Sequence, residues 1–184
     1  MKVIGIVGLP GSGKSEAAAV AAELGVPVVT MGDVVRRECD ARGLDPATHH
    51  GEVARALREE GGPDAVAARS LPVIEDALEE SDVVLVDGIR SDVEVERFEA
   101  AFGDDFRLVA VEAPFEVRRE RLAARGRDAS TAEGGEDLRA RDERELGFGM
   151  GEAIEAADVA IENADTLESF RERVRAIIEE GGEP

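Results

Sequence analysis

Gly8-Leu9-Pro10-Gly11-Ser12-Gly13-Lys14-Ser15 fits the pattern G-x-x-x-x-G-K-[ST], the signature of a loop that cradles phosphate. Each residue type has a physical task. Gly8, Gly11 and Gly13 admit backbone turns closed to residues with a side chain, so successive N–H groups can point inward. Those donors, with the positive end of the helix that follows, make a site for the β-phosphate of a nucleotide. Lys14 supplies a point charge between β- and γ-phosphates, and the Ser15 hydroxyl is a ligand for Mg²⁺. Leu9, Pro10 and Ser12 complete the same expected nucleotide site.

The flanks agree with the motif. Lys2-Val3-Ile4-Gly5-Ile6-Val7 reads as a buried strand, and Glu16 to Leu24 is dense in helix formers and closed by Gly25. Strand, glycine-rich turn and helix are the setting the loop requires. Further strands read at Val26–Thr30, 81–87, Phe106–Glu112 and 158–162. Helical stretches lie between them. Asp33 is placed to cap a helix from Val34, and 45–51 reads as a loop. Two helices then run from about Glu52 to Glu60 and from Pro63 to Glu80, with Pro63 at a first helical position. Others follow at 92–102, from Pro114 to Arg125, and from Glu136 to Leu146. Residues 147–151 read as a hinge-like break. Thr166 caps a closing amphipathic helix with Leu167, Phe170, Val174, Ile177 and Ile178 toward the core. The alternation predicts an α/β fold of three layers, α/β/α, around a five-stranded parallel sheet. Ligands in such sheets bind at the carboxyl ends of strands, so 8–15, 31–33, 87–90 and 162–164 are expected to line one cleft.

Composition narrows the function. Asp and Glu number 42 against 22 Lys and Arg, a net charge of −20, and Lys2 and Lys14 are the only lysines. Acid excess with almost no lysine resembles proteins of salt-accumulating halophiles. It argues against nucleic acid as a partner, because phosphate backbones need a basic face. There is no run for a bilayer span and no signal-peptide pattern, and Cys39 stands alone. A cytoplasmic location, as monomer or homodimer, is the expectation.

Three stretches resemble one family, the nucleoside monophosphate kinases, and adenylate kinase in particular. Residues 8–14 are similar to its Gly-x-Pro-Gly-x-Gly-Lys loop. Residues 26–36, ending Thr30-Met31-Gly32-Asp33-Val34-Val35-Arg36, resemble its Thr-Gly-Asp-x-x-Arg segment. Asp87-Gly88-Ile89-Arg90 resembles its Asp-Gly-Phe-Pro-Arg. Gly13-Lys14-Ser15-Glu16 and the tail 157–163 are closer to dephospho-coenzyme A kinases. The whole is most similar to an archaeal family of adenylate-kinase-related, dephospho-coenzyme A kinase-like proteins.

The resemblance implies a P-loop kinase fold over 1–184, with an acceptor-binding helical insert at about 32–62 and a short lid at about 126–147. It implies ATP and Mg²⁺ as cofactors, and Asp87 beside the metal together with Ser15. Asp33, Arg36, Gly88 and Arg90 would hold the acceptor, and Arg121, Arg125, Arg141 and Arg144 would act on the moving phosphoryl beside Lys14. The expected activity is transfer of the γ-phosphate of ATP to a nucleoside monophosphate such as AMP, or to a similar small acceptor. A dephospho-coenzyme A-like acceptor, or a slow ATPase serving as a nucleotide-binding regulator, is the alternative. Read from its residues alone, Asp87 is either that partner acid or a helix cap, and the arginines are either ligand contacts or surface ion pairs. His49 and His50 read as polar loop residues without a role.

Overall fold

A computed structural model describes residues 1–124 and 137–180. Five parallel strands form one sheet: β1 (Lys2–Val7), β2 (Val28–Thr30), β3 (Val83–Asp87), β4 (Phe106–Glu112) and β5 (Val159–Glu162), in the order β2-β3-β1-β4-β5. The helices are α1 (Lys14–Glu23), α2 (Met31–Ala41), α3 (Pro46–Gly61), α4 (Ala65–Leu78), α5 (Asp92–Phe102), α6 (Phe115–Ala124), α7 (Leu138–Gly147), α8 (Met150–Glu155) and α9 (Leu167–Glu179). This is the expected three-layer P-loop kinase fold.

The strands are apolar on both faces because helices cover both. Val3, Val7, Val84, Val86, Leu108 and Ala110 face a core closed by α2, α3, α4, α5 and α8. Their neighbours in sequence, Ile4, Ile6, Leu85, Val109 and Val111, face the other core, shared with α1 and α9. Phe98 and Phe106 stack in the first core with centroids 5.8 Å apart. α1 packs on this face beside α9, burying Ala17, Val20 and Ala21 in the shared core. Among the described residues no helix is long and apolar enough to cross a membrane.

Register fixes where the site must be. Ile6 and Thr30 both pair with Asp87, and Glu112 pairs with Glu162. With every strand parallel, the turns after β1, β2, β3 and β5 leave the sheet on one side.

Several boundaries differ from the sequence reading, each for a local reason. α2 begins at Met31, because Met31 is itself buried in the core and draws the first turn onto β2. Asp33 therefore lies inside the helix, and the N-cap, Thr30, makes no side-chain capping bond. The expected loop at 45–51 is the start of α3: Asp45 accepts the Ala47 N–H at 2.9 Å, and Pro46 takes the first helical position. Pro63 precedes its helix, which begins at Ala65. The break at Gly149 (φ 100°) is followed at once by α8, whose Met150 and Ala153 are buried. Thr166 caps α9 as expected, accepting from Ser169 N–H at 3.2 Å, but Leu167 is exposed, since it precedes the first buried position, Phe170.

Candidate functional site

The loop between β1 and α1 turns at Gly8, Gly11 and Gly13, with φ of 151°, 80° and 125°. At two of these a side chain has no room. A Cβ on Gly8 would collide with the Val111 carbonyl, and one on Gly13 with the Asn163 side-chain amide. Ser12 Oγ is buried beneath the loop and has no hydrogen-bond partner among the described residues.

Lys14 turns inward onto the loop. It is half-buried and folds back so that Nζ donates to the Gly8 carbonyl and, at 3.3 Å, to the Leu9 carbonyl. Burial pushes its pKa below the ordinary 10.5; Asp87 and Glu145 pull it up again, and Arg90 and Arg118 press it down. Those four charges come from β3, α7, the turn after β3, and α6.

Asp87 ends β3 between β1 and β2, half-buried, while Ser15 is exposed at the head of α1. Gly88 (φ 101°) turns the chain beside Met31 and Gly32, which bring in the start of α2. The expected acceptor residues lie on these two neighbouring turns. Arg36 pairs with Asp33 in the first turns of α2, both exposed. Arg90 donates to Glu145 Oε1 at 3.3 Å with half its side chain exposed. Each arginine has its own carboxylate. His50, in α3, reaches the Gly32 carbonyl at 3.2 Å and so stands beside this pair.

Arg121 reaches the loop itself. Its Nη1 lies 3.4 Å from the Ser12 carbonyl, and Nη2 donates at 3.0 Å to both the carbonyl and Oδ1 of Asn163. Asn163 Nδ2 in turn donates to the Ser12 carbonyl at 2.7 Å. These residues border an open cleft of about 310 Å³ completed by Gly13, Glu16, Asp165 and Leu167. Arg141 is half-buried and Arg144 exposed, both on α7. Arg125 lies outside the described residues, as does the first part of the expected lid, 126–136.

The residues that organise the site most tightly were not singled out from sequence. Arg118 is buried in α6 and binds Asp142 of α7 through both forks, at 2.8 and 2.7 Å. It also donates to the carbonyls of Pro10, at 3.0 Å, and Ala113, at 3.1 Å. Asp142 and Glu145 are buried beside Leu138 on one face of α7. Spacing carried a signal: 118 falls on the stripe with Leu122, and 142 and 145 fall four and seven residues after Leu138. A charge on a buried stripe needs a partner: Arg118 and Asp142 meet each other, and Glu145 meets Arg90.

A domain family described as an AAA domain matches residues 4–146. A UPF0200 protein of Halobacterium salinarum is 60% identical over 178 residues, which is 97% of this chain and 93% of that one. Two solved structures are similar in fold. Dephospho-CoA kinase from Campylobacter jejuni matches with TM-score 0.63 and 17% identity over 98% of this chain and 97% of its own. Shikimate kinase from Bacteroides thetaiotaomicron matches with TM-score 0.62 and 18% identity over 97% and 98%.

Proposed function

The chain belongs to the UPF0200 proteins and carries the AAA domain, and from that premise we propose that it transfers the γ-phosphate of ATP to a small acceptor bearing a phosphate, of the nucleoside monophosphate kind. One observation carries this reading. A loop turned at Gly8, Gly11 and Gly13, with no room for a Cβ at Gly8 or Gly13, folds around Lys14, and Asp87 ends the neighbouring strand at the same edge of the sheet.

The residues fit a nucleotide. The cradle at Gly8 and Gly13 excludes any Cβ, and the orphaned Ser12 Oγ lies under it. Lys14 is held by two carbonyls that phosphate oxygens can replace. They also fit Mg²⁺, which keeps most of its waters and asks few protein ligands. Ser15 hydroxyl, at the head of α1, and Asp87 carboxylate, at the end of β3, are hard oxygen donors, and an ion they held would neutralise phosphate charge.

The chain's own part is positioning and charge. Arg36 and Arg90 exchange their carboxylates for the acceptor's phosphate, a group their planar forks match. Arg121 and Asn163 keep the Ser12 carbonyl fixed, which holds the loop N–H groups in one direction. An acceptor phosphate is already anionic and needs no base to activate it.

The test is ADP release by the purified protein in molar KCl, with AMP, other monophosphates and dephospho-coenzyme A offered in turn. Stimulation by a monophosphate is the expected result. Stimulation by dephospho-coenzyme A alone moves the acceptor to a hydroxyl; acceptor-independent slow hydrolysis makes the protein a regulator.

A further inference from the structure

We propose that Glu94, which lies outside the phosphate loop, is a positioning residue for Arg90; the inference rests on reading Arg90 as an acceptor contact. Glu94 stands in the first turn of α5 and is completely buried. Its Oε2 accepts the Arg90 backbone N–H at 2.9 Å, and its Oε1 accepts from Arg58 Nη2 at 2.8 Å. Arg58 belongs to α3, 36 residues earlier. One carboxylate thus joins α3, the head of α5, and the turn that carries Gly88 and Arg90.

Helix capping does not require this. The Ser91 hydroxyl already accepts the Glu94 N–H at 3.3 Å, half of a capping box. In such a box the acid returns to the N–H of the cap residue itself. Here it reaches one residue further back, is buried, and takes a cation from a distant helix. A dry carboxylate tolerates this only when its oxygens meet donors, one of them charged.

The result is a locked peptide under a movable side chain. The Arg90 backbone N–H is bonded to a buried carboxylate, while its guanidinium is half exposed and, among the described residues, bonded to Glu145. An arginine that must exchange a carboxylate for a phosphate needs that combination. The strut also sets where Arg90 stands relative to Arg36. α3 carries both Arg58 and His50, and His50 holds the Gly32 carbonyl in the first turn of α2, near Arg36. Glu94 therefore keeps both halves of the acceptor grip in one frame.

Glu94→Met and the double variant Arg58→Met with Glu94→Met test this; the double leaves no buried charge and serves if the single variant folds poorly. Two readouts are needed: amide exchange at Arg90 in the ligand-free protein, and calorimetric titration of AMP and ATP in molar KCl. Arg90 exchange is expected to quicken about tenfold or more in both variants. AMP affinity is expected to fall about tenfold, the worth of a displaced charged contact, with ATP affinity kept within about twofold. The double variant should melt near the unsubstituted protein and still bind AMP weakly. Unchanged Arg90 exchange overturns the proposal, and so does equal weakening of AMP and ATP. Full AMP affinity in the double variant also overturns it, by reducing the pair to a stabilising contact. If the unsubstituted protein binds ATP but not AMP, the acceptor reading fails instead, and Arg90 exchange alone decides the role of Glu94.

Discussion

Lys14 is bonded to the loop it serves, and its burial there has a cost. Burial lowers its pKa below 10.5 in spite of Asp87 and Glu145. The unfolded chain then holds the proton more firmly than the folded one. Stability is therefore reduced at neutral pH and recovers as pH rises from the folded pKa toward 10.5. Lys14→Met, which removes the buried charge, is expected to melt no lower than the unsubstituted protein at pH 7 while losing ATP binding. A clear drop in melting temperature would mean that the bonds to Gly8 and Leu9 outweigh the burial. In the unsubstituted protein, ATP affinity should decline as the solution is made alkaline, starting below the ordinary lysine range; calorimetry at a series of pH values reads this directly. The acceptor arginines answer to a different ligand. Arg36→Ala or Arg90→Ala is expected to weaken AMP by about 1.5–3 kcal/mol, the value of a charged hydrogen bond, and to leave ATP nearly unchanged. Each loss is tempered by the carboxylate the side chain gives up to meet the phosphate, Asp33 for Arg36 and Glu145 for Arg90. Equal loss of both ligands, or of neither, would return these arginines to the surface.

At the scale of elements, the clasp between α6 and α7 is where charge and structure meet most directly. Arg118 is 4% exposed, and its four bonds run to Asp142, Pro10 and Ala113. Asp142→Ala would leave that guanidinium buried with carbonyls alone, a loss of about 3–5 kcal/mol. Replacing both, Arg118→Met with Asp142→Leu, should recover most of the stability. Urea unfolding of the three proteins decides it; a single variant within error of the unsubstituted protein would show that Arg118 escapes to water. The clasp also marks the edge of what sequence could tell. The strands were legible because apolar runs buried on both faces look like nothing else, and the phosphate loop because its glycines are forced by Val111 and Asn163. Asp33 was misread because the buried Met31 starts α2 ahead of it, and 45–51 because Asp45 and Pro46, which look like turn residues, are the cap and first position of α3. Arg118, Asp142, Glu94 and Glu145 were passed over for another reason. A charged residue is assigned to water unless its partner is known, and these partners lie 24, 36 and 55 residues apart in the chain. Only the fold brings them together.

The whole molecule carries a net charge of −20 on 184 residues, and that sets its response to salt. Two effects oppose each other. Salt weakens exposed ion pairs such as Arg55–Glu59, at 3.9 Å, and Arg173–Asp165, at 2.7 Å, which favours unfolding. It also screens repulsion among acids that have no cation to meet, since 42 acidic side chains share 22 basic ones. The second effect reaches further. Around 0.1 M salt the screening length is about 10 Å, long enough for each acid to feel several others; near 1 M it is about 3 Å, and most of that repulsion is gone. The pairs lost are individually weak, because exposed pairs contribute little in water. Arg118–Asp142, buried on both sides, and Arg58–Glu94, whose carboxylate is buried, are screened less. Repulsion therefore decides the sign, and the melting temperature is expected to climb steadily from 0.1 M toward molar KCl. NaCl should act alike if screening is the cause, and sulfate at equal ionic strength should do more by also strengthening apolar burial. A melting temperature that is flat or falls with KCl would show that the exposed pairs, and not the excess acids, govern the surface.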